Sequence, residues 1–329
     1  MSKSSVSKRL NKYKKLKNWN GLIPLVMFLV LTVPIGLYLV FNVPAMFAAD
    51  GGAQVARAYQ VSDGRIKPTF INHQPGVGYG GAVPLNLVAL KNLELNIVAK
   101  NGAPGVESNA KILTPQDKQQ ITAITSQKIS KEKVSISFVN TAAYAPIAYA
   151  PSALGLLFGR LVNLSLGHTL QLAGLLGFIT FILCVGYSLY TLRKNQLKWA
   201  VLTVSLLPLV VFQTTLITAD SFLTSLTILF SALLIKALNK NSEFNTLDKI
   251  LLFLSVLAIP QAKSVYFPFV FLILLIPRDK WSSKKKLLAV HRFSFSYIAD
   301  WLWNMVCLIY RYCSFKWFGP RSTVAIRLC

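Results

Sequence analysis

The sequence predicts an all-α polytopic membrane protein with a mixed α/β segment of about 100 residues on the outer face of the membrane. The chain is 53% hydrophobic and only 14% charged, a balance typical of multi-pass membrane proteins rather than soluble domains. Several apolar runs approach the roughly 20 residues that cross a bilayer as a helix. A polar stretch over residues 42–143 follows the first of these runs, and we predict that it forms the outer segment.

Basic residues dominate the charge of the chain: 35 Lys and Arg against 11 Asp and Glu give a formal net charge of +24. They gather at the ends of the apolar runs, as topology determinants and contacts to anionic lipids do. No nucleic-acid recognition motif accompanies them, so we expect membrane lipid rather than nucleic acid as a partner. We expect the protein to lie in the cell membrane, and the sequence leaves its oligomeric state open.

The first apolar run predicts a retained membrane anchor over residues 22–41. Residues 1–21 carry seven Lys or Arg and no acid, which places the N-terminus in the cytoplasm by the positive-inside rule. The run is longer than the roughly 7–15 apolar residues of a signal peptide. A cleaved signal peptide is the alternative, because Ala45 to Ala49 resembles a weak cleavage site.

Local signals within the outer segment predict two of its elements. Thr114-Pro115-Gln116-Asp117 is typical of a helix start, with Thr114 as the cap. Val134, Ile136 and Phe138 alternate with polar residues, which predicts a short strand. The Gly-rich run from Pro75 to Gly81 lacks the Lys-Ser/Thr of a phosphate-binding loop, so we interpret it as turns.

Three further transmembrane helices are predicted, over residues 168–192, 199–218 and 220–238. Arg193, Lys194 and Lys198 follow the first of them and indicate that it ends in the cytoplasm. Residues 144–167 therefore begin and end on the outer side. We predict that they form an interfacial helix lying on the membrane.

Residues 250–277 are interpreted as a short transmembrane hairpin. Cytoplasmic positive charge flanks both ends, and a break at Pro260 to Lys263 turns Lys263 toward the outer side. Broken helices are tolerated at membrane depth where the backbone lines a cavity or is covered by protein. One continuous span is the alternative.

The basic tail, residues 278–329, differs in texture from the rest of the chain. After residue 290 it holds three of the six Trp and three of the four Cys residues, with one weak transmembrane candidate over residues 301–318. A shift of reading frame near residues 287–292 is an alternative explanation, and it would leave a truncated, inactive product.

Candidate functional chemistry begins where the first helix leaves the membrane. If residues 53–62 form a helix, Asp50 sits beside its positive N-terminal end, while Gln54 and Arg57 share one face. Such a carboxylate either pairs structurally or takes part in chemistry. Lys263 is a second candidate, because a charge within an apolar stretch is costly and usually functional.

Five short motifs resemble one family of bacterial membrane proteins, called domain of unknown function 2142 (DUF2142). Its Pro-Asp-Glu-x-x-His-x-x-Arg-Ala-Tyr opening is similar to the residues Ala49, Asp50, Gly51, Gln54, Arg57, Ala58 and Tyr59. Four further pieces follow in the same order as in the family: 140–151, 159–161, 207–208 with 219–220, and 262–266. The resemblance covers about residues 20–287.

The family is in turn similar to membrane glycosyltransferases of fold type C (GT-C). The resemblance therefore implies a GT-C-like fold and transfer of a sugar from a polyprenyl-phosphate donor to a cell-envelope polysaccharide or glycolipid on the outer face. Asp50 would be the catalytic base. The residues proposed to bind the lipid-linked donor or the acceptor are Arg57, Tyr59, Tyr144, Tyr149, Arg160, Asp220, Lys263 and Tyr266.

Two departures from the family pattern bear on this site: Gly51 stands where the family usually has Glu, and Gln54 where it often has His. We therefore expect no metal or other cofactor, although a divalent cation stays open. Structural alternatives also stay open: Asp50 as a helix cap, and Asp220 as a turn residue or as a partner of Lys263. A transporter or lipid flippase, or a non-catalytic membrane protein, is the alternative function.

Overall fold

A computed structural model describes residues 3–48, 50–72, 78–101, 114–239, 241–277 and 280. It is mostly helical, with one small three-stranded sheet, and so confirms the predicted helical membrane protein with a mixed α/β segment. The chain divides into two compact units, Met1–Phe269 and Val270–Cys329. The predicted tail, with its transmembrane candidate at 301–318, lies outside the described residues apart from Lys280.

The chain begins with one long helix, α1 (Lys3–Asn42). Its apolar part, Asn20–Asn42, is long and hydrophobic enough to cross a membrane. It contains the run predicted to anchor the chain. Two prolines lie within this helix, Pro24 and Pro34, which transmembrane helices tolerate better than soluble ones.

The described residues of the segment predicted to lie on the outer face build a small antiparallel sheet with helices around it. Its elements are α2 (Gly51–Ser62), β1 (Thr69–Ile71), β2 (Gly78–Pro84), α3 (Leu85–Asn101), α4 (Pro115–Thr125) and β3 (Lys133–Ser137). The strand order is β1-β2-β3. The predicted helix start at Thr114 is confirmed, because Thr114 and Asp117 form a reciprocal capping box.

The described part of the Gly-rich run corrects the prediction of turns. Gly78 to Gly81 lie in β2, where Gly81 pairs with Ile136 of β3. A Cβ on Gly80 would lie 2.0 Å from the carbonyl oxygen of Ile136. The glycines therefore permit a close approach of two strands, which is one of the uses of glycine within a sheet.

Three short helical elements lead from the sheet back to the membrane helices: α5 (Val139–Ala142), a 3-10 helix (Pro146–Tyr149) and α6 (Ala150–Leu161). The long helix α7 (Leu166–Thr191) follows. A Cβ on Gly155 would lie 2.5 Å from the Cα of Ala173, and one on Gly159 would lie 2.7 Å from Thr169. These contacts make α6 antiparallel to the first half of α7. The helix thus packs along α7, and its position relative to the membrane stays a prediction.

Two short helices, α8 (Lys198–Ser205) and α9 (Pro208–Thr214), replace the single helix predicted over residues 199–218. Leu207 has φ −56° and ψ 128°, outside the helical region. A following proline disfavours the helical conformation of the residue before it, so Pro208 explains the break. The next helix, α10 (Ala219–Leu238), is again long enough to span a membrane.

The last described elements are α11 (Thr246–Ala262) and a second 3-10 helix (Ser264–Leu275). Lys263 between them is extended, with φ −147° and ψ 123°. A continuous α-helix across residues 250–277 is therefore wrong, and the predicted break is present. The hairpin geometry stays a prediction.

Contacts between neighbouring helices show which helix ends lie together. Gln171 of α7 donates a hydrogen bond to the carbonyl of Phe41, whereas a Cβ on Gly21 would lie 2.9 Å from the carbonyl oxygen of Arg193. Helices α1 and α7 are therefore antiparallel. Gly177 of α7 lies against Ser221 at the start of α10. The end of α1, the first half of α7 and the start of α10 thus share one end of the bundle.

The opposite end is held by a buried carboxylate, Asp248 of α11. It accepts hydrogen bonds from Lys236 of α10 at 2.7 Å and from Tyr187 of α7 at 2.9 Å, and its side chain is fully buried. Three helices are joined at this point. The desolvation penalty of a buried charge is offset by its partner when the charge is paired. A buried charge without a partner destabilises the fold by several kcal/mol.

We expect Asp248→Ala to lower the free energy of unfolding by about 3–5 kcal/mol, because it leaves the Lys236 ammonium without its carboxylate partner. The double variant Lys236→Met/Asp248→Ala should unfold at a higher temperature than Asp248→Ala. Thermal unfolding in detergent measures both, with Glu243→Ala as the control. A double variant that unfolds below the single one would contradict a role for the ion pair.

Candidate functional site

Helix α2 determines where the predicted site residues lie. It runs parallel to α6, because Gln54 meets Tyr149 just before α6 while Asp63, just after α2, meets Arg160 near the end of α6. A 12-residue helix is about 18 Å long. The residues therefore separate into a proximal group at the start of α2 and a distal group at its end. The proximal group comprises Asp50, Tyr144, Tyr149, Asp220, Lys263 and Tyr266.

Asp50 is an exposed carboxylate whose backbone has φ 56° and ψ 21°, in the left-handed region. This conformation is uncommon for a residue with a side chain, although Asp adopts it more readily than most. Asp50 occupies the cap position of α2, yet its side chain makes no capping hydrogen bond. Its Oδ1 instead accepts a hydrogen bond of 2.9 Å from Nδ2 of Asn140. The alternative of Asp50 as a side-chain cap is therefore wrong.

Gln54 joins the start of α2 to the membrane helices. Its side-chain carbonyl is buried and accepts hydrogen bonds from the hydroxyl of Tyr149 and from the backbone N–H of Ala219, the latter at 3.3 Å. Gln54 lies one turn after Asp50, about 6 Å along the helix. Gln54 thereby links the turn of α2 that follows Asp50 to the start of α10, which carries Asp220. Tyr149 is almost fully buried, so the structure gives its ring no free face for a sugar.

An ion pair between Asp220 of α10 and Lys263 forms the second part of the proximal group. Both side chains are 27% exposed. The Lys263 ammonium also lies 5.7 Å from the ring centroid of Tyr144. Thr218 caps α10, so the Asp220 carboxylate is available for Lys263. The pairing of these two residues, left open by the sequence, is confirmed.

Tyr266 lies one turn beyond Lys263, and its N–H donates a hydrogen bond to the Lys263 carbonyl. Its half-buried ring packs against Phe269 at 5.7 Å between centroids. The ring is thus at the same end as Lys263 and keeps part of its surface exposed.

Arg57 is enclosed in the protein, with 1% of its surface exposed. Its guanidinium donates hydrogen bonds to Gln60 and to the carbonyls of Ile66 and Tyr144, at 2.9 and 3.1 Å for the two carbonyls. Burial lowers the pKa of Arg57. The structure therefore does not bring this predicted phosphate ligand to an accessible surface.

The distal group is a cluster around the Asp63 carboxylate. Arg160 and Lys133 bind it at 2.9 and 2.8 Å, and both cations lie over the ring of Tyr59, at 4.8 and 5.5 Å from its centroid. Burial opposes ionisation of Asp63, but hydrogen bonds from the two cations and their charges keep its pKa below the ordinary value. Arg160 and Tyr59, predicted to bind substrate, are used here to join α2, α6 and β3.

Glu94 of α3 was missed by the sequence analysis. Its carboxylate is 2% exposed and accepts a hydrogen bond of 3.1 Å from the N–H of Met46, in the linker between α1 and α2. Burial raises the pKa of Glu94 to about 7, and the hydrogen bond from Met46 opposes this rise. A Cβ on Gly51 would lie 2.2 Å from the carbonyl oxygen of Met46. Glu94 and Gly51 thus hold the linker just before Asp50 from both sides.

Metal binding finds no cluster to support it in the described residues. No group of three His, Cys, Asp or Glu side chains in this part of the chain is arranged to hold an ion. The proximal group instead offers a carboxylate, an ion pair and aromatic rings at one end of the helical bundle.

A family model described as Predicted membrane protein (DUF2142) matches residues 33–324 of the chain. The matched range extends beyond the motifs recognised in the sequence and includes most of the basic tail. No curated protein and no solved structure matches the chain.

Replacing the buried acid by Glu94→Gln should make stability less dependent on pH. A carboxyl group with a pKa of about 7 in the folded protein and an ordinary value of 4.5 destabilises the fold as pH rises between these values. The difference corresponds to about 3 kcal/mol. Unfolding measured from pH 4.5 to 8 should show wild type losing stability relative to Glu94→Gln. Equal pH dependence of the two proteins would exclude an elevated pKa, and Glu243→Gln serves as the control.

The close contact at Gly51 predicts that an added side chain is not tolerated there. Gly51→Ala should lower the unfolding temperature, because its Cβ would displace the Met46 carbonyl. Gly186→Ala is the matched control, since the nearest atom to its Cβ would be 3.7 Å away. We expect this control to unfold at or above the wild-type temperature. Equal unfolding temperatures for Gly51→Ala and wild type would contradict the packing.

Proposed function

We propose, from the premise that this chain belongs to the DUF2142 family of predicted membrane proteins, that it is a glycosyltransferase-like enzyme of the cell membrane. Its GT-C-like fold would place the N-terminus in the cytoplasm. It transfers a sugar from a polyprenyl-phosphate donor to a cell-envelope polysaccharide or glycolipid at the outer face. The described residues include three helices long and apolar enough to cross a membrane, which supports its position in the bilayer.

The observation that carries this proposal is the exposure and hydrogen bonding of the Asp50 side chain. Its side chain is exposed, makes no cap and accepts one hydrogen bond on Oδ1 from a neutral amide. Residues held in sparsely populated backbone conformations cluster at functional sites. Among the described residues nothing else hydrogen-bonds the Asp50 side chain, so its second carboxylate oxygen is open to receive a proton in a position fixed by its neighbours.

Transfer requires one proton to move and one glycosidic bond to be replaced by another. Asp50 accepts the proton of the acceptor hydroxyl while the oxygen of that hydroxyl bonds to the anomeric carbon of the sugar. The bond from that carbon to the phosphate oxygen breaks, and polyprenyl phosphate leaves with the electron pair. A cation near this oxygen stabilises the developing charge.

Lys263 is the candidate for this cation. It is part-exposed and lies in the proximal group, whereas Arg57 is buried and Arg160 is paired with Asp63. A phosphate would have to replace or share Asp220 as the partner of Lys263. The rings of Tyr144 and Tyr266, at the same end, are candidates for contact with the sugar or the lipid chain.

Release of free polyprenyl phosphate from radiolabelled polyprenyl-phosphate sugars tests this function, because neither a transporter nor a scaffold should release it. Asp50→Asn should lower the rate by about 100-fold or more, the usual contribution of a general base. Lys263→Met should weaken use of the donor. The matched control is Glu132→Gln, an exposed carboxylate on the loop before β3.

Two results would overturn parts of the proposal. Wild-type protein that releases no polyprenyl phosphate from any such donor would reject the transferase. An Asp50→Asn variant with the wild-type rate would leave the transferase in place and reject Asp50 as its base.

A further inference from the structure

We infer that Asn140 is the positioning residue for Asp50: it holds one carboxylate oxygen and leaves the other for the acceptor hydroxyl. This role rests on the proposed function. The Asn140 amide donates from Nδ2 to Oδ1 at 2.9 Å, across 90 residues of sequence. Among the described residues it is the side chain that hydrogen-bonds Asp50.

The backbone around Asn140 is fixed on both sides. The N–H of Phe138 donates to the carbonyl of Tyr79 in β2, at 3.0 Å, and the Phe138 ring is buried. The hydroxyl of Thr141 donates to the carbonyl of Ala53 in α2, also at 3.0 Å, and Thr141 is fully buried. Asn140, between them, is therefore held against the start of α2, and its exposed amide has a defined direction.

The same segment also reaches the cation of the proximal group. Tyr144, one turn after Asn140, lies beneath the Lys263 ammonium, and its carbonyl accepts a hydrogen bond from Arg57. The N–H of Ala145 donates to the carbonyl of Gln261 near the end of α11. Residues 138–145 thus set the position of Asp50 relative to Lys263, although the two lie more than 200 residues apart in sequence.

The chemistry of an amide suits this role. A neutral N–H donor favours the ionised form of a carboxylate, whereas a second carboxylate at the same place disfavours it. Asn140→Asp should therefore raise the pH at which Asp50 loses its proton. Asn140→Ala should leave the Asp50 carboxylate without a fixed orientation, because the Nδ2 donor is lost and no charge is added.

The test compares the pH profile of polyprenyl-phosphate release in wild type, Asn140→Ala and Asn140→Asp. We expect the acid limb of kcat for Asn140→Asp to move up by about one pH unit or more. Asn140→Ala should lower kcat by about 10-fold, with little change in KM for the donor. Asn96→Asp, an exposed asparagine of α3, adds the same charge away from Asp50 and should keep the wild-type profile.

A double-mutant cycle gives a readout that does not depend on activity. The unfolding-temperature changes of Asn140→Ala and Asp50→Ala should be less than additive when the two are combined, because each removes the same hydrogen bond. Wild type without activity would reject the transferase and this catalytic role together, whatever the cycle shows. Active wild type with an unmoved pH profile in Asn140→Asp, or additive effects in the cycle, would reject the role of Asn140 and leave the transferase intact.

Discussion

The buried side chain of Gln54 is the contact on which the arrangement of the proximal group depends. Its carbonyl oxygen receives two hydrogen bonds, one from the 3-10 helix before α6 and one from the first residue of α10. Each donor is itself buried, so losing the acceptor would leave two unsatisfied groups. The outer segment is thereby attached to the membrane helices at the turn of α2 that follows Asp50. A flexible attachment at this point would uncouple the start of α2, next to Asp50, from the start of α10, which carries Asp220.

The cations Arg57 of α2, Arg160 of α6 and Lys263 after α11 have two different roles. Arg57 and Arg160 stabilise the fold, the first by donating to carbonyl groups while almost fully buried and the second through Asp63. Lys263 keeps partial exposure. Guanidinium groups suit the structural role because their several donors satisfy several acceptors at once. The ammonium of Lys263 has one carboxylate partner in the described structure, Asp220. A phosphate can therefore replace this partner by displacing a single ion pair.

The departures of this chain from the family motif have a structural consequence at the linker before α2. Gly51 permits the Met46 carbonyl to lie against the helix, and the Met46 N–H binds Glu94. A side chain at Gly51 would push this linker away. The acid that the family usually carries at Gly51 is therefore incompatible with the linker conformation seen here. Asp50, just before Gly51, has a left-handed backbone and accepts its hydrogen bond from Asn140.

From the sequence alone we predicted three long apolar helices, the helix start at Thr114 and the break at Lys263, but not the break before Pro208. These depend on local properties: apolar length, capping chemistry and the steric effect of proline. The charged groups that are paired or buried could be identified only in the tertiary structure. Arg160 and Asp63 are 97 residues apart, and Glu94 and Met46 are 48 apart, so no local pattern shows that these groups are paired or buried. The orientation of α6 was equally hidden, because Gly155 and Gly159 reveal their packing role only when α7 lies against them.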